Sequence, residues 1–186
     1  MKFLKWLLII VGVLALLFFF VIGPYMKEQT KKHSPEKTAT YTKNGMDLSV
    51  KYSSPYKKGR VIFGELVPYD VVWRTGANEP TTFTSATAIK IIDKSLPAGT
   101  YSLWTKPNKN SWIIIFNKEV PDWAVTLSSG GRETTRKPDS DVLQVEVPVE
   151  QLSQVQESFK IDFEDIEQLS LVLAWDNTKV SVPLNN

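Results

Sequence analysis

Residues 68–82 read Pro-Tyr-Asp-Val-Val-Trp-Arg-Thr-Gly-Ala-Asn-Glu-Pro-Thr-Thr and concentrate hydrogen-bonding side chains between two apolar runs. Arg74 brings a planar charged fork, Asn78 an amide, Glu79 a carboxylate, and Thr75, Thr81 and Thr82 hydroxyls. Such a set can hold a polar ligand through directional, partly charge-assisted hydrogen bonds. Gly76 permits the tight or positive-φ turn that would gather them. Trp73 and, further on, Trp104 add ring faces on which a sugar could stack. The candidate ligand-binding set is therefore Trp73, Arg74, Thr75, Asn78, Glu79, Thr81 and Trp104. A structural reading uses the same residues: Arg74 paired with Glu79 or Glu65, and Asn78 tied to loop backbone, would lock the loop. The tryptophans would then be core rings.

Catalysis has less support. Glu65, Asp70 and Glu79 lie close in sequence, and glycoside hydrolysis needs two carboxylates at a set separation. In a hydrolase, Glu79 or Asp70 would act while Arg74 stabilised developing negative charge. Three acids in this stretch are ordinary in a region that carries seventeen, so the residues favour a binding or structural role over an enzyme, and no catalytic residue is assigned. The chain has no cysteine. That excludes a disulfide framework, a Cys-based zinc site and a thiol nucleophile. Its one histidine, His33, cannot form a His cluster, and a Ser-His-Asp triad would have to recruit it from outside the body of the chain. Neither metal nor cofactor is expected.

The elements that position these residues begin with an apolar end. Trp6 to Ile22 is uncharged throughout, and with Phe3, Leu4 and Gly23 it approaches the ~20 residues that cross a hydrocarbon core. Trp6 and Tyr25 bracket it as interfacial aromatics do. The run exceeds a secretory h-region, and Gly23-Pro24-Tyr25-Met26-Lys27 offers no Ala-x-Ala site. Residues 1–23 therefore read as an uncleaved signal-anchor, with residues 3–23 in the bilayer. Residues 24–45 read as a polar, basic stalk, and residues 46–186 as the folded domain. Lys2 and Lys5 precede the helix while Lys27, Lys31, Lys32 and Lys37 follow it, so the positive-inside count is divided. A short basic tail ahead of a first helix ordinarily stays in the cytoplasm. This predicts a single-pass protein with its domain on the periplasmic or cell-surface side.

Residues 27–60 hold nine Lys/Arg against three acids, and residues 61–186 eleven against seventeen. The basic segment is either a soluble spacer or a contact to anionic lipid through Lys27, Lys31 and Lys32. The acidic body argues against a nucleic-acid partner.

From Met46 onward period-two patterning dominates. Leu48, Val50 and Tyr52 alternate with polar residues. Strands are expected at Val61–Phe63, Ala86–Ile92, Thr100–Thr105, Ser111–Asn117, Trp123–Leu127 and Val142–Val147. Ser111–Asn117 is apolar on both faces and should be central and doubly covered. A polar loop or hairpin tip spans Ser128–Asp141, and one helical turn is expected within Pro148–Val155. Phe159, Ile161 and Phe163 alternate in one strand; Leu169, Leu171, Leu173 and Trp175 share one face of the next. Asp176-Asn177 reads as a two-residue turn into Lys179–Val182. The fold class is all-β: an antiparallel, jelly-roll-like β-sandwich of about nine or ten strands after one transmembrane helix.

Four long motifs, GRVIFGELVPYDVVWRTGANEPTTF (59–83), LPAGTYSLWTKP (96–107), WIIIFNK (112–118) and LVLAWDNTKVSVPL (171–184), resemble the DUF2911 family of bacterial envelope proteins. The resemblance covers most of residues 46–184. It implies an envelope compartment and, the family being of unknown function, no reaction. Where the family pattern has Gly after a Trp this chain has Ala124 after Trp123, and Ser128-Ser129-Gly130 stands where a Tyr is common. The resemblance therefore assigns no role to the 123–130 loop.

Overall fold

In the computed structural model, residues 2–126, 129–131 and 133–186 are described. They form two compact units, residues 1–33 and 34–186.

The first unit is helical: α1 (Lys2–Leu17), one π-helical turn (Phe18–Ile22) and α2 (Gly23–His33). The helix over Phe3–His33 is long and apolar enough to cross a membrane, and the most apolar part of it is wholly unburied within the protein. It ends at His33, just before Ser34-Pro35, as the restriction on the residue preceding a proline requires.

Among its described residues the second unit holds nine strands: β1 (Glu36–Lys43), β2 (Met46–Ser53), β3 (Thr82–Ser85), β4 (Ile89–Ile91), β5 (Lys94–Leu96), β6 (Gly99–Pro107), β7 (Ser111–Asn117), β8 (Asp141–Asp165) and β9 (Leu169–Asn185). All neighbours are antiparallel. The order is β1-β2-β3-β6-β7-β8-β9-β4-β5, one open sheet rather than two separate ones. Its long member β8 pairs with β7 through its first third and with β9 beyond Val149. One core is nonetheless filled from both halves: Leu48, Val50, Phe83, Leu103 and Trp112 on one side, Phe159, Leu171, Leu173, Trp175 and Val182 on the other. Tyr52 meets Phe159 edge-on at 5.9 Å, and Tyr41 donates to Asp165 Oδ2 at 2.7 Å. That packing across one interior is compatible with the expected sandwich.

β7 is central and covered twice, as its all-apolar sequence predicts. Trp112, Ile114 and Phe116 enter the main core, whereas Ile115 joins Trp104 and Ala124 in a second cluster, with Val72 and Ile113 packed against it.

Several expectations are corrected. The stalk over 24–45 is helical to His33 and then becomes β1, because Ala39 and Tyr41 are buried on one face while Thr38 and Thr40 face out. Asn44-Gly45, both at positive φ, turns the chain into β2 as a two-residue hairpin loop demands. Residues 148–155 are strand, not helix, because Val149–Gln151 pair with Thr178–Val180. Asp176-Asn177 is not a hairpin: β9 runs through it, Asp176 (φ 56°) lies opposite Gln156, and the register shifts there. The positive φ serves an irregularity within the strand, a common alternative use of the same residues. Val61–Phe63 belongs to a turn-rich segment with one bridge, Phe63 to Val67. Val125 makes a single bridge to Thr134, and Leu127, the end of the expected strand, lies outside the described residues, as do Ser128 and Arg132 of the polar loop.

Candidate functional site

The chain runs twice along one edge of β6 with an excursion between. Trp73 N–H donates to Thr105 O at 2.7 Å, and Thr105 N–H donates to Trp73 O at 3.1 Å. Leu103 N–H donates to Thr81 O at 2.8 Å, after which β3 continues the ladder. Residues 74–80, the heart of the polar segment, therefore leave the ladder and return one β6 position pair later.

The excursion is held in a strained shape. Thr75 (φ 57°) and Asn78 (φ 59°) are left-handed, and Gly76 sits at φ 142°. Left-handed backbone is uncommon for any residue but Gly and a true outlier for a β-branched one. It persists only where surroundings over-determine it, and here they do. Thr75 Oγ1 donates toward Trp73 O (3.3 Å) and Thr105 Oγ1 (3.2 Å), and Thr81 Oγ1 donates to Thr75 O at 2.6 Å. Thr75, Thr81 and Thr105 are all wholly buried. A Cβ on Gly76 would stand 2.8 Å from Ser53 O and 3.8 Å from the Phe159 ring, so the backbone there lies directly on β2 and β8.

These contacts divide the predicted residues in two. Thr75 and Thr81 spend their hydroxyls on the frame. Trp73 is half-buried, stacked on Trp175 at 5.9 Å and 16° and meeting Phe159 at 5.0 Å and Trp112 at 6.2 Å. It anchors the start of the excursion in an aromatic cluster. Trp104 lies on the opposite face of β6 from Tyr101 and Leu103, as parity predicts, but that face is covered. Its exposure is 0% and its indole N–H donates to Ser102 Oγ at 2.7 Å, whose hydroxyl donates in turn to Glu119 O. Trp104 has no ring face open for stacking, because Ile115 and Ala124 cover it. This corrects the expectation that it could carry a sugar.

Arg74, Asn78 and Glu79 form the other group. All three are half-buried. Arg74 Nε and Asn78 Nδ2 are buried atoms with no hydrogen-bond partner. Burial pushes the Arg74 guanidinium below its ordinary range, and among the described residues no acidic neighbour holds its charge. Arg74 is thus paired with neither Glu65 nor Glu79, and the lock foreseen for it is replaced by the threonines. Asp70, a possible acid, is exposed, left-handed (φ 61°) and accepts from Asn108 Nδ2 at 2.9 Å.

The residues that fix the loop and escaped sequence reasoning are Thr105, Ser53 and Phe159. Thr105 carried a signal, being a hydroxyl at the same strand parity as Tyr101 and Leu103, where an apolar residue is expected. Ser53 acts through its carbonyl, which no side-chain type announces.

A family model described as "Protein of unknown function (DUF2911)" matches residues 34–184, nearly the whole of the second unit. The chain belongs to the DUF2911 family. Comparison with curated proteins and with solved structures gives no match. The DUF2911 match begins at Ser34, where the compact β unit also begins, so β1 is part of the DUF2911 domain and not of a tether. Among the described residues no group of His, Asp and Glu side chains is placed to hold a metal ion.

Proposed function

We propose that this DUF2911 protein is a membrane-anchored binding module whose β domain lies outside the cytoplasm and takes a small polar ligand at Arg74, Asn78 and Glu79. The observation that carries this reading is the pair of buried, unpartnered atoms, Arg74 Nε and Asn78 Nδ2, on a loop fixed by other residues. A buried donor without a partner costs about 1–3 kcal/mol, and such groups call for an explanation in a ligand, ion or water. Backbone strain in the same loop fits a pre-organised site. Trp73, Thr75 and Thr81 then serve as its frame, and Trp104 supports β6 from behind.

A purely structural role predicts a fully paired Arg74, and the unpartnered Nε speaks against it. Of the two carboxylates a hydrolase could use, Glu79 is half-buried but Asp70 stands exposed on a turn, away from any dry cleft. Lys2 and Lys5, at the start of α1 before its uncharged run, favour the outward orientation, while Lys27, Lys31 and Lys32 after the run weigh against it. Protease digestion of sealed vesicles of known sidedness tests that part.

The binding reading is tested by thermal melting of the full chain in detergent against a panel of small polar metabolites and oligosaccharides. At least one compound should raise the wild-type midpoint, leave Arg74→Ala unmoved and raise Asn78→Ala less. No compound doing so, together with a crystal structure showing both donors capped by enclosed water, refutes it.

A further inference from the structure

Of the two orphaned donors, one has a fixed character. A guanidinium can only donate, and among the described residues no acid neutralises its charge. The Asn78 amide can be turned to donate or accept, so it adds directionality without dictating charge. Thr75 and Thr81 are excluded as ligand contacts by their buried bonds to Trp73, Thr105 and the loop backbone. Glu79 brings an acceptor to the same loop, so the demand for negative charge comes from Arg74 alone. A ligand that meets it must supply oxygen acceptors in a planar or tripodal array and negative charge, which is what a guanidinium fork binds bidentately.

From this we infer that the ligand taken by the 74–79 loop carries an oxyanion, a carboxylate or phosphate group, seated on Arg74 Nε and one Nη and steadied by the Asn78 amide. The inference rests on the binding reading above and narrows it. Arg74 is the one Lys or Arg between Arg60 and Lys90, so the segment itself supplies no second cation.

The test uses the full chain in detergent at constant ionic strength, with inorganic phosphate and acetate as anionic probes and glucose as a neutral one. Phosphate stabilises proteins generally by exclusion from their surfaces, so wild type is compared with Arg74→Met at each concentration. The expected result is a saturable extra rise in the wild-type midpoint, about 5–10 °C at a hundredfold excess over Kd, absent in Arg74→Met and reduced in Asn78→Ala. A measurement needing no variant accompanies it: the Arg74 side-chain Nε–H signal in a ¹H–¹⁵N spectrum should shift and sharpen with phosphate or acetate. Which of the two anions binds more tightly separates phosphate from carboxylate chemistry. A specific rise with glucose alone, lost in Asn78→Ala, overturns the oxyanion while leaving a binding site. Equal responses of wild type and both variants to every probe, with an unmoved Nε–H signal, overturn both.

Discussion

Replacing Arg74 by Met asks whether the guanidinium holds the loop or awaits a guest. Methionine keeps an unbranched apolar stem of similar reach and discards the charge and all five N–H donors. In the ligand-free protein, Arg74 Nε is buried without a partner and burial alone perturbs the guanidinium. Nothing bonded is lost, and the cost of one orphaned donor, about 1–3 kcal/mol, is relieved. Part of that gain is offset by imperfect packing of the thioether, usually under about 1.5 kcal/mol for a volume-conserving change. The expected net effect is stabilisation by about 1–2 kcal/mol, which for a domain near 150 residues raises Tm by roughly 2–8 °C. Urea melts at pH 7 without added anions measure it as a shift in midpoint at unchanged slope. A loss of more than about 1 kcal/mol would show that the Arg74 donors support the fold. The binding reading would then have no foundation.

Other outcomes follow from the same geometry. Gly76→Ala places a methyl 2.8 Å from the Ser53 carbonyl at a φ of +142°, and should cost about 2–4 kcal/mol by overpacking and backbone strain, read as a lowered midpoint. Ser102→Ala removes the acceptor of the wholly buried Trp104 N–H and should cost about 1–3 kcal/mol in urea melts, whereas Ser102→Thr should retain most of the stability. Burial disfavours the Asp141 charge, but hydrogen bonds from Arg136 and Asn117 and the Arg136 charge outweigh it, leaving its carboxyl below the ordinary carboxylate range. Its stabilisation is then fully present above the unfolded-state value near pH 4 and is lost as pH falls below that through the lowered native value. Asp141→Asn should flatten the acid limb of the stability curve while lowering stability at pH 7 by about 2–4 kcal/mol, because Arg136 is left without its partner in a mostly enclosed site.

Residue types and local spacing were enough for the apolar helix, the antiparallel all-β class and the central strand at 111–117. Each rests on which side chains shun water and at what period, and that is written in the order of residues. Asn44-Gly45 is a hairpin signal in the residues themselves, one that a reading of 24–45 as a stalk from its polar composition passes over. Only the fold decided that Ala39 and Tyr41 have a core to enter, that residues 148–155 pair with β9, and that Asp176 bends a strand instead of ending one. In each case a partner distant in sequence supplied the free energy that local preference lacked. The polar segment at 68–82 was visible as a cluster of donors and acceptors, but its division of labour was not. Thr75 and Thr81 became the frame because Thr105 lies across the ladder from Trp73. Arg74 was left with an idle donor because no acid among the described residues reaches it in three dimensions, although Glu65 and Glu79 are near in sequence. Proximity along a chain gives the cast of a site, while hydrogen bonding is decided at about 3 Å, a distance that only tertiary packing sets.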